Sequence, residues 1–545
     1  MRRALVVLGF SILTIAAPAL AQSTSAGRGT VVIVTAREAM SPIPTLFGGD
    51  AANREVSDLM FLRLADLPED LATTDEPRFV PRLAKSWRRI DPVTLAFELD
   101  PRAKWHDGAP VTAADVVFAI ERARMEKLDG QLAGLVRRIS SVTADGDRRV
   151  IFKFTAPYAE QFYDAVYHAP PLPAHLLARV SPDSVGASSF AANPVGNGPY
   201  RWKRRVSGQL IELSANDDFF LGKPGLSRVV FLIAGDTEAR MNLLLGGEAD
   251  AVDNIYQFAN PERLGQNPRF RLYPMPSLMV GYMLFNQRDP ADTTKPHPIL
   301  GDPAVRRALA LALDRETIVR STYGPSSLVP AGPVSAVLAT RLESPAPPRN
   351  DTTKAREILG SRGWTDHDRD GVLDKDGRPL HLTAIFPATS GARRKMALQA
   401  QEQLRRIGVE LEIQPLDPPV YVPTRRTGKF DLDLAAVTQD PTPSGLSQSW
   451  SCAGIGGTNV AHYCNPQVDT LLARASRSPE SARKLWRDAV VTIEGDAPAI
   501  FLYAPVFLYA VDARFEKVTL RPDSPWSEVW RWRVRPGQEA SRDRE

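Results

Sequence analysis

Residues 79–118 read FVPRLAKSWRRIDPVTLAFELDPRAKWHDGAPVTAADVVF, and this stretch carries most of the information about the fold. Apolar side chains alternate with their neighbours over positions 95–99, which is the period of a half-buried strand. Asp107 and Gly108 form a turn dipeptide. We interpret His106 as part of a surface turn beside an aromatic anchor rather than as half of a catalytic dyad.

A capped helix is predicted directly after this turn. Thr112 can cap a helix that begins at Ala113, and Asp115 is placed to bond back to the cap. Val111 and Val116 are spaced to pack against each other across the helix start. A strand, a turn and a capped helix within forty residues identify a fold rather than an active site.

The stretch resembles the signature of the family 5 extracytoplasmic solute-binding proteins, which serve peptide and nickel ABC importers. The similarity extends over most of the chain beyond the first residues. The further segments that carry it are residues 193–200 (NPVGNGPY), 216–224, 246–250 (GGEAD), 302–315, 430–441 and 463–472.

Periodicity outside the signature predicts interleaved strands and helices. Residues 30–35 and 149–154 have the pattern of strands. Asp302 is placed to cap one helix, and a second helix runs to Gly408 and gives way to a strand at residues 409–413.

The resemblance implies an α/β fold, a two-lobed periplasmic-binding-protein clamp of type II-like form with an extra subdomain inserted in the first lobe. Two strands are expected to cross between the lobes, near residues 281–286 and 500–504, and to act as a hinge. The expected parts are a signal peptide at 1–21, lobe I at 29–280 with the insert at about 75–190, lobe II at 281–503, a return to lobe I at 504–535, and a frayed tail at 536–545.

The first residues have the pattern of a secretory signal. Arg2 and Arg3 precede an apolar run over residues 4–17, and Ala19 and Ala21 flank a small-residue cleavage site. The run is too short to span a bilayer, and no cysteine follows it to carry a lipid. We therefore expect a soluble protein, exported through a cleavable signal peptide and located in the periplasm.

Composition excludes several classes of partner. Without the signal, the 67 basic and 63 acidic side chains are nearly balanced, and they form no long block of one sign. Neither nucleic acid nor an anionic membrane is favoured as a partner. We also expect no cofactor, and a monomer, because a receptor that docks on a permease works as a single chain.

Cys452 and Cys464 are the two cysteines of the chain. In an exported protein they are expected to form a disulfide that fixes the glycine-rich segment 453–459. They also resemble the cysteine pair of dipeptide-binding relatives. A metal or redox pair is the less favoured interpretation, because the spacing is not Cys-x-x-Cys and His462 is the one histidine nearby.

Residues 430–441 resemble the strand of the second lobe that pairs with the extended backbone of a peptide ligand in these relatives. The relatives' aspartate for the ligand's α-amine falls on Val437 here, and their tryptophan falls on Leu434. Both departures count against simple capture of a peptide amine, because a buried ammonium needs a charged partner. Ala436 and Asp440 complete the ligand-binding set that we predict on this strand.

Asp440 is one candidate for the missing charge, and three further acidic residues are the others. Asp431 and Asp433 lie on the same strand as Val437, and Glu38 follows the first strand of the fold. We include Glu38 in the predicted ligand-binding set, although a solvated loop residue is the favoured interpretation.

The segment Asp366-x-Asp368-x-Asp370-Gly371 looks like the start of a calcium loop. The twelfth position, which should hold a bidentate glutamate, is Gly377. We therefore favour a solvated turn and expect no metal, with calcium as the alternative.

No catalytic motif is found in the sequence. A Gly-x-Ser-x-Gly elbow, a His-Glu-x-x-His pair and a phosphate-binding loop are all missing from it. We therefore predict a binding protein rather than an enzyme, with a secreted enzyme of unrecognised site as the alternative from another class. A chaperone that holds unfolded chains is a third interpretation.

The resemblance implies the substrate-binding component of an ABC importer, with a small peptide or similarly sized solute as ligand. An inner-membrane permease and its ATPase subunits are the expected partners. Nickel chelates, sugar oligomers and opines are the alternatives within the family. The seven histidines show no paired spacing that would favour nickel.

Overall fold

The computed structural model describes residues 28–44, 51–125 and 130–543. The predicted signal peptide at 1–21 lies outside the described residues. The strands are β1 (Thr30–Thr35), β2 (Ala65–Asp66), β3 (Val80–Pro81), β4 (Ala84–Asp91), β5 (Thr94–Leu99), β6 (Ile139–Asp145), β7 (Arg149–Phe154), β8 (Tyr200–Val206), β9 (Leu210–Ala215), β10 (Arg228–Ile233), β11 (Ala251–Val252), β12 (Phe270–Pro276), β13 (Met279–Phe285), β14 (Asp374–Lys375), β15 (Arg378–Pro379), β16 (His381–Pro387), β17 (Glu410–Leu416), β18 (Leu432–Thr438), β19 (Ala499–Tyr503), β20 (Val506–Asp512), β21 (Phe515–Glu516) and β22 (Arg533–Val534).

Helices alternate with these strands along much of the chain. They are α1 (Ala51–Met60), α2 (Ala113–Met125), α3 (Gly130–Arg138), α4 (Gln161–Tyr167), α5 (Ala174–Leu177), α6 (Ser189–Ala192), α7 (Thr237–Gly246), α8 (Glu262–Gly265), α9 (Pro303–Ala312), α10 (Arg315–Tyr323), α11 (Ala336–Leu342), α12 (Thr352–Ser361), α13 (Gly391–Arg405), α14 (Pro418–Arg426), α15 (Leu446–Trp450), α16 (Pro466–Arg477) and α17 (Pro479–Asp496). None of the described helices is both long and apolar enough to cross a bilayer.

Two mixed sheets define the two lobes. The first lobe is built on a seven-stranded sheet with the order β12-β20-β11-β1-β10-β9-β8, and the second on a five-stranded sheet with the order β17-β16-β18-β13-β19. A four-stranded sheet, β4-β5-β7-β6, forms the additional subdomain of the first lobe. The predicted two-lobed α/β clamp with an inserted subdomain is thus confirmed.

Both large sheets are covered on both faces, which explains their continuous apolar strands. In β1, Val31 and Ile33 pack into the core shared with the inserted subdomain, whereas Val32 and Val34 pack into a separate core on the opposite face. The five-stranded sheet likewise has a core on each face. A strand buried on both faces has no polar alternation.

The predicted strands and caps agree with the structure. The strands predicted at 30–35 and 149–154 are β1 and β7. Helix α2 begins at Ala113, and the Thr112 backbone N–H donates to Asp115 Oδ2 over 2.8 Å, which is the predicted bond back to the cap. The Thr112 hydroxyl also donates to Asp115 Oδ2, over 3.1 Å, so it does not act as the acceptor of a full capping box. The Asp302 side chain caps α9 by accepting a hydrogen bond from the Ala304 N–H.

The chain passes between the sheets at two adjacent points. Strand β12 lies in the first lobe and β13 in the second, and β19 and β20 make the reverse passage. The Ser277 N–H donates to the Pro505 carbonyl over 3.0 Å, which joins the two passages. Because β13 already belongs to the second sheet, the first passage lies a few residues before the predicted 281–286. The remaining domain boundaries stay predictions.

The C-terminal segment differs from the frayed tail that the sequence suggested. Asp543 is buried, and its carboxylate accepts a hydrogen bond from the Thr30 N–H over 2.6 Å. It also forms an ion pair with Arg514 over 2.7 Å. The tail is held because the Asp543 carboxylate satisfies one donor at the start of β1 and another on Arg514, which follows β20. A polar, aperiodic sequence does not reveal this contact.

Candidate functional site

Strand β18 has an unpaired edge in the middle of the five-stranded sheet. On one side β13 pairs with it along its whole length, from Leu432 to Thr438. On the other side β16 pairs with it only at Leu432 and Asp433. Strand β16 ends at Pro387, which has no N–H to continue a ladder. Residues 434–438 of β18 therefore have no partner strand on that side within the described sheet.

A cavity of about 670 Å³ adjoins this edge. Its volume lies in the range of typical ligand pockets, roughly 300–1,000 Å³. Residues 435–440 of β18 and the following turn form one wall, and α14, α15 and the loop at 457–460 form others. The apolar lining side chains include Val422, Val437 and Trp450.

One end of the cavity is cationic. Asp433 is fully buried there and accepts hydrogen bonds from Arg425 Nε over 2.6 Å and from the Tyr421 hydroxyl over 2.7 Å. Burial raises the pKa of Asp433, and the charge of Arg425 opposes that shift. Arg393 and Arg426 line the same cavity. The single carboxylate of Asp433 therefore faces more than one guanidinium.

Asp440 lies at the other end, where the second lobe meets the first. The residue is 9 % exposed, and Oδ2 has no hydrogen-bond partner among the described residues. Burial raises the pKa of Asp440 to about 6, although the nearby charges of Arg54 and Arg63 oppose the rise. His168 Nε2 of the first lobe lies 3.6 Å away. Burial lowers the pKa of His168 to about 4, so the imidazole is neutral near pH 7.

Direct hydrogen bonds join the lobes beside Asp440. Glu160 in the first lobe is buried and accepts a hydrogen bond from the Thr442 hydroxyl of the second lobe. The Ala159 N–H donates to the Ser476 carbonyl over 3.0 Å, also across the interface. The lobes are therefore in contact at the mouth of the cavity.

The predicted ligand-binding residues fall into two groups. Ala436, Val437 and Asp440 line the cavity, and Val437 is 40 % exposed. Leu434 is 1 % exposed and packs in the core on the opposite face of the sheet. Alternation along the strand turns Leu434 and Ala436 to this face and Val437 to the cavity, so Ala436 borders the cavity while its side chain packs against the core.

Glu38 lies in the first lobe, apart from the residues that line the cavity. Its carboxylate forms an ion pair with Arg205 and accepts a hydrogen bond from the Gly208 N–H over 2.9 Å. These bonds lower the pKa of Glu38 despite the opposing effect of burial. The bonds of Glu38 to Arg205 and Gly208 hold the loop after β1 in place.

Of the acidic residues on or near β18, Asp440 alone has an acceptor atom without a described partner. Asp431 accepts hydrogen bonds from the Thr383 N–H over 2.8 Å and bonds His297 over 3.0 Å. Asp433 is satisfied by Arg425 and Tyr421.

Arg393, Tyr421 and Trp450 line the cavity but were not singled out in the sequence. They come from separate helices, and no motif marks them. The one local signal is the pair of arginines at 393–394 in the first turn of α13, where a basic charge is unfavourable beside the positive end of a helix.

Cys452 and Cys464 form the predicted disulfide. The bond closes the loop that contributes Gly457 and Thr458 to the cavity wall. The expectation of a cross-linked glycine-rich loop is thus confirmed, and the loop belongs to the site.

The acidic segment at 366–371 is an exposed turn. Carboxylate oxygens of Asp366, Asp368 and Asp370 lie within 4.8 Å of one another. Each carboxylate accepts a hydrogen bond from a backbone N–H of the turn itself, at residues 370–372. Gly377, at the twelfth position, has a φ of +73° and closes a tight hairpin. The full donor set of a calcium loop is not assembled here.

His106 and Asp107 have separate structural roles. The His106 ring accepts from the Gly196 N–H over 3.1 Å and contacts the Gly198 carbonyl over 3.1 Å. Asp107 bonds His175 over 2.7 Å. The ring of His106 thus packs against the glycine loop at 193–200, and it is less exposed than the predicted surface turn implied. His106 and Asp107 bond different partners and form no dyad.

These features define a two-lobed solute-binding protein with its cavity at the interlobe edge of the second lobe. The chain belongs to the bacterial extracellular solute-binding proteins, family 5, whose middle region matches residues 78–457. It is 27 % identical to the oligopeptide-binding protein AppA of Bacillus subtilis over 504 residues, which cover 90 % of this chain and 89 % of that protein. It is 26 % identical to the probable ABC transporter periplasmic-binding protein SapA of Escherichia coli, covering 82 % of each chain.

Solved structures show the same architecture. The B. subtilis AppA complex with a nonapeptide superposes with a TM-score of 0.77 at 25 % identity, over 93 % of this chain and 99 % of that chain. NikZ from Campylobacter jejuni in complex with Ni(L-His) gives a TM-score of 0.76 at 24 % identity, over 92 % and 99 % of the two chains. The second likeness concerns the fold alone.

Proposed function

We propose that this protein is the receptor of an ABC importer and that it binds a short peptide along the unpaired edge of β18. The observation that carries the proposal is the position of Asp440 at one end of that edge, a buried carboxylate whose Oδ2 accepts no hydrogen bond from the described residues. A bound peptide would satisfy both the unpaired edge of β18 and the carboxylate of Asp440. Its backbone adds a strand, and its α-ammonium pairs with the carboxylate.

The unliganded site leaves polar groups unsatisfied, which costs free energy. A buried polar group without a partner costs about 1–3 kcal/mol, and more when it is charged. Strand edges carry free N–H and C=O groups that pair with any extended chain. A ligand that satisfies both is bound by interactions that the free protein leaves open.

The relatives support a peptide ligand. The chain covers most of an oligopeptide-binding protein from B. subtilis, and the structure of that protein contains a nonapeptide. Nickel chelates, sugar oligomers and opines are alternatives carried by the family alone. The cavity lining contains no histidine or cysteine among the described residues, so nothing observed there favours a metal chelate.

Transport also requires subunits other than this receptor. We propose that residues 1–21 direct export to the periplasm and that the chain works there as a monomer. An inner-membrane permease and its ATPase subunits would receive the closed, loaded receptor. The mechanism is binding with hinge closure, without a covalent step.

The test is a thermal-shift screen of the mature protein with peptide, nickel-chelate and sugar libraries. A ligand at 100 times its Kd stabilises the folded protein by about 2.7 kcal/mol. Peptides should raise the Tm of the wild type and raise that of Asp440→Asn much less. A rise with chelates or sugars only, or with no compound, contradicts the proposal.

A further inference from the structure

A second cavity lies where the inserted subdomain meets the second lobe. It measures about 220 Å³ and shares no described lining residue with the cavity beside β18. The first lobe contributes Arg138 and residues 155–160. The second lobe contributes Ser444, Ser476, Arg477 and Trp486. Because both lobes form its walls and the Ala159 N–H donates to the Ser476 carbonyl between them, the cavity is complete only while the lobes are in contact.

The second lobe offers unused hydrogen-bond donors to this cavity. Trp486 of α17 is 4 % exposed, and its Nε1 has no hydrogen-bond partner among the described residues. Arg477, the last residue of α16, is exposed and forms no ion pair with a described residue. A buried N–H without an acceptor costs free energy, which a ligand recovers when it supplies the acceptor.

The acidic groups beside the second cavity are already engaged. Glu160 is buried and accepts a hydrogen bond from the Thr442 hydroxyl. Asp164 Oδ2 accepts hydrogen bonds from Arg138 Nη2 over 2.6 Å and from the Tyr158 hydroxyl over 2.7 Å. Arg138 Nε has no partner among the described residues. The unused groups are thus N–H donors, and an anion is their complement.

The rest of the first lobe's wall is largely apolar. Ala156, Pro157 and the ring of Tyr158 belong to it. Pockets for drug-sized ligands measure roughly 300–1,000 Å³, so this smaller cavity suits a molecule with one ring and not an extended peptide. Aromatic side chains favour stacked or edge-on contacts with another ring.

We propose that the second cavity binds a small aromatic carboxylate and that this ligand holds the two lobes together. Its carboxylate bonds Arg477 and the Trp486 N–H of the second lobe, and its ring packs against Pro157 and Tyr158 of the first. The negative charge of Glu160, which lines the same cavity, disfavours the reverse orientation.

This ligand binds the closed form of the protein and not the open one, because the open form lacks one wall of the cavity. It therefore shifts the lobes toward closure and raises the affinity for a peptide beside β18, and the peptide raises its affinity by the same factor. The site itself goes beyond the proposed function, and only the coupling rests on it.

Isothermal titration calorimetry with 3-phenylpropanoate tests the site, and 3-phenylpropanamide is the neutral probe of the same shape. Both are titrated into the wild type, Arg477→Gln, Trp486→Phe and Arg474→Gln. Arg474 is the matched control, because it is exposed on the same helix and does not line the cavity. Circular dichroism checks that each variant is folded. The best peptide from the thermal-shift screen is then titrated with and without saturating 3-phenylpropanoate.

The wild type and Arg474→Gln should bind the carboxylate at least about tenfold more tightly than the amide, as for a charged hydrogen-bonded pair. Arg477→Gln should bind both probes alike. Trp486→Phe keeps a ring but lacks the N–H, and it should bind the carboxylate about three- to tenfold more weakly. Saturating 3-phenylpropanoate should lower the Kd of the peptide at least about fivefold.

Two results overturn the site: no saturable binding of 3-phenylpropanoate at millimolar concentration, or binding that Arg477→Gln leaves unchanged. An unchanged peptide affinity overturns the coupling to closure. Failure of every peptide to bind, with the 3-phenylpropanoate results as expected, overturns the proposed function and leaves the second cavity as a site.

Discussion

Thr442 of the second lobe donates its hydroxyl hydrogen to Glu160 of the first lobe. The same Glu160 oxygen also accepts a hydrogen bond over 2.7 Å from Thr73, which belongs to its own lobe. Thr442 follows Asp440 by two residues. The interlobe bond therefore lies directly beside the proposed ammonium site and connects ligand binding with closure.

Replacing Thr442 by valine should weaken closure. The change removes the interlobe hydrogen bond to a buried carboxylate, and we expect peptide affinity to fall about three- to tenfold, in line with a net loss near 1 kcal/mol. Small-angle scattering of the peptide-bound protein should show a larger radius of gyration. Thr73→Val removes a bond to the same oxygen within one lobe and should leave the radius unchanged. Equal effects of the two variants would contradict this account.

Peptide binding should weaken in acid because of Asp440. Its pKa is raised to about 6 by burial, so the carboxyl becomes neutral as the pH falls through that value and no longer attracts an ammonium. His168 stays neutral down to about pH 4, and Arg54 and Arg63 stay charged. We expect Kd to rise up to about tenfold per pH unit below 6.

Titration calorimetry between pH 4.5 and 8 measures this dependence. Asp440→Asn should show weak binding without the step near pH 6. A wild type whose Kd is constant across this range would show that Asp440 is not the partner of the amine.

The disulfide should matter for both stability and binding. Cys452 and Cys464 close a short loop, and in the chain-entropy model such a cross-link stabilises by about 3 kcal/mol. The double variant Cys452→Ser/Cys464→Ser should lose this amount in guanidinium unfolding. It should also bind peptide more weakly, because the loop forms part of the cavity wall. Unchanged affinity would show that the loop does not take part in peptide binding.

Gly196 should not tolerate a side chain. A Cβ there would lie 2.0 Å from the Met60 carbonyl oxygen, which also accepts hydrogen bonds from the N–H groups of Asn197 and Gly198. We expect Gly196→Ala to destabilise by about 1–3 kcal/mol or more through overpacking. Gly360→Ala is the control. It meets open space in α12 and should stabilise by about 0.5–1 kcal/mol, because alanine favours a helix. Thermal unfolding distinguishes the two.

Local patterns predicted much of the fold. Strands β1 and β7 and the caps at Thr112 and Asp302 follow from period, propensity and capping chemistry, which act over a few residues. The docking of Asp543 onto Thr30 could not be predicted in the same way. That contact joins the two ends of the described chain, and its energy depends on burial that only the folded structure creates.

The candidate site was predicted in part. Motif comparison led to β18 and to Ala436, Val437 and Asp440, which line the cavity. It placed Leu434 there too, although strand alternation turns that side chain into the core. Arg393 was missed, because its position depends on how α13 packs beside an edge that β16 leaves open.

Native mass spectrometry of the purified mature protein, with release and sequencing of any co-purifying molecule, tests the central claim most directly. We predict bound short peptides with a free amino terminus, and their loss from Asp440→Asn. Release of a metal chelate or a sugar instead of a peptide would contradict it, as would an empty protein whose mass does not change when peptides are added.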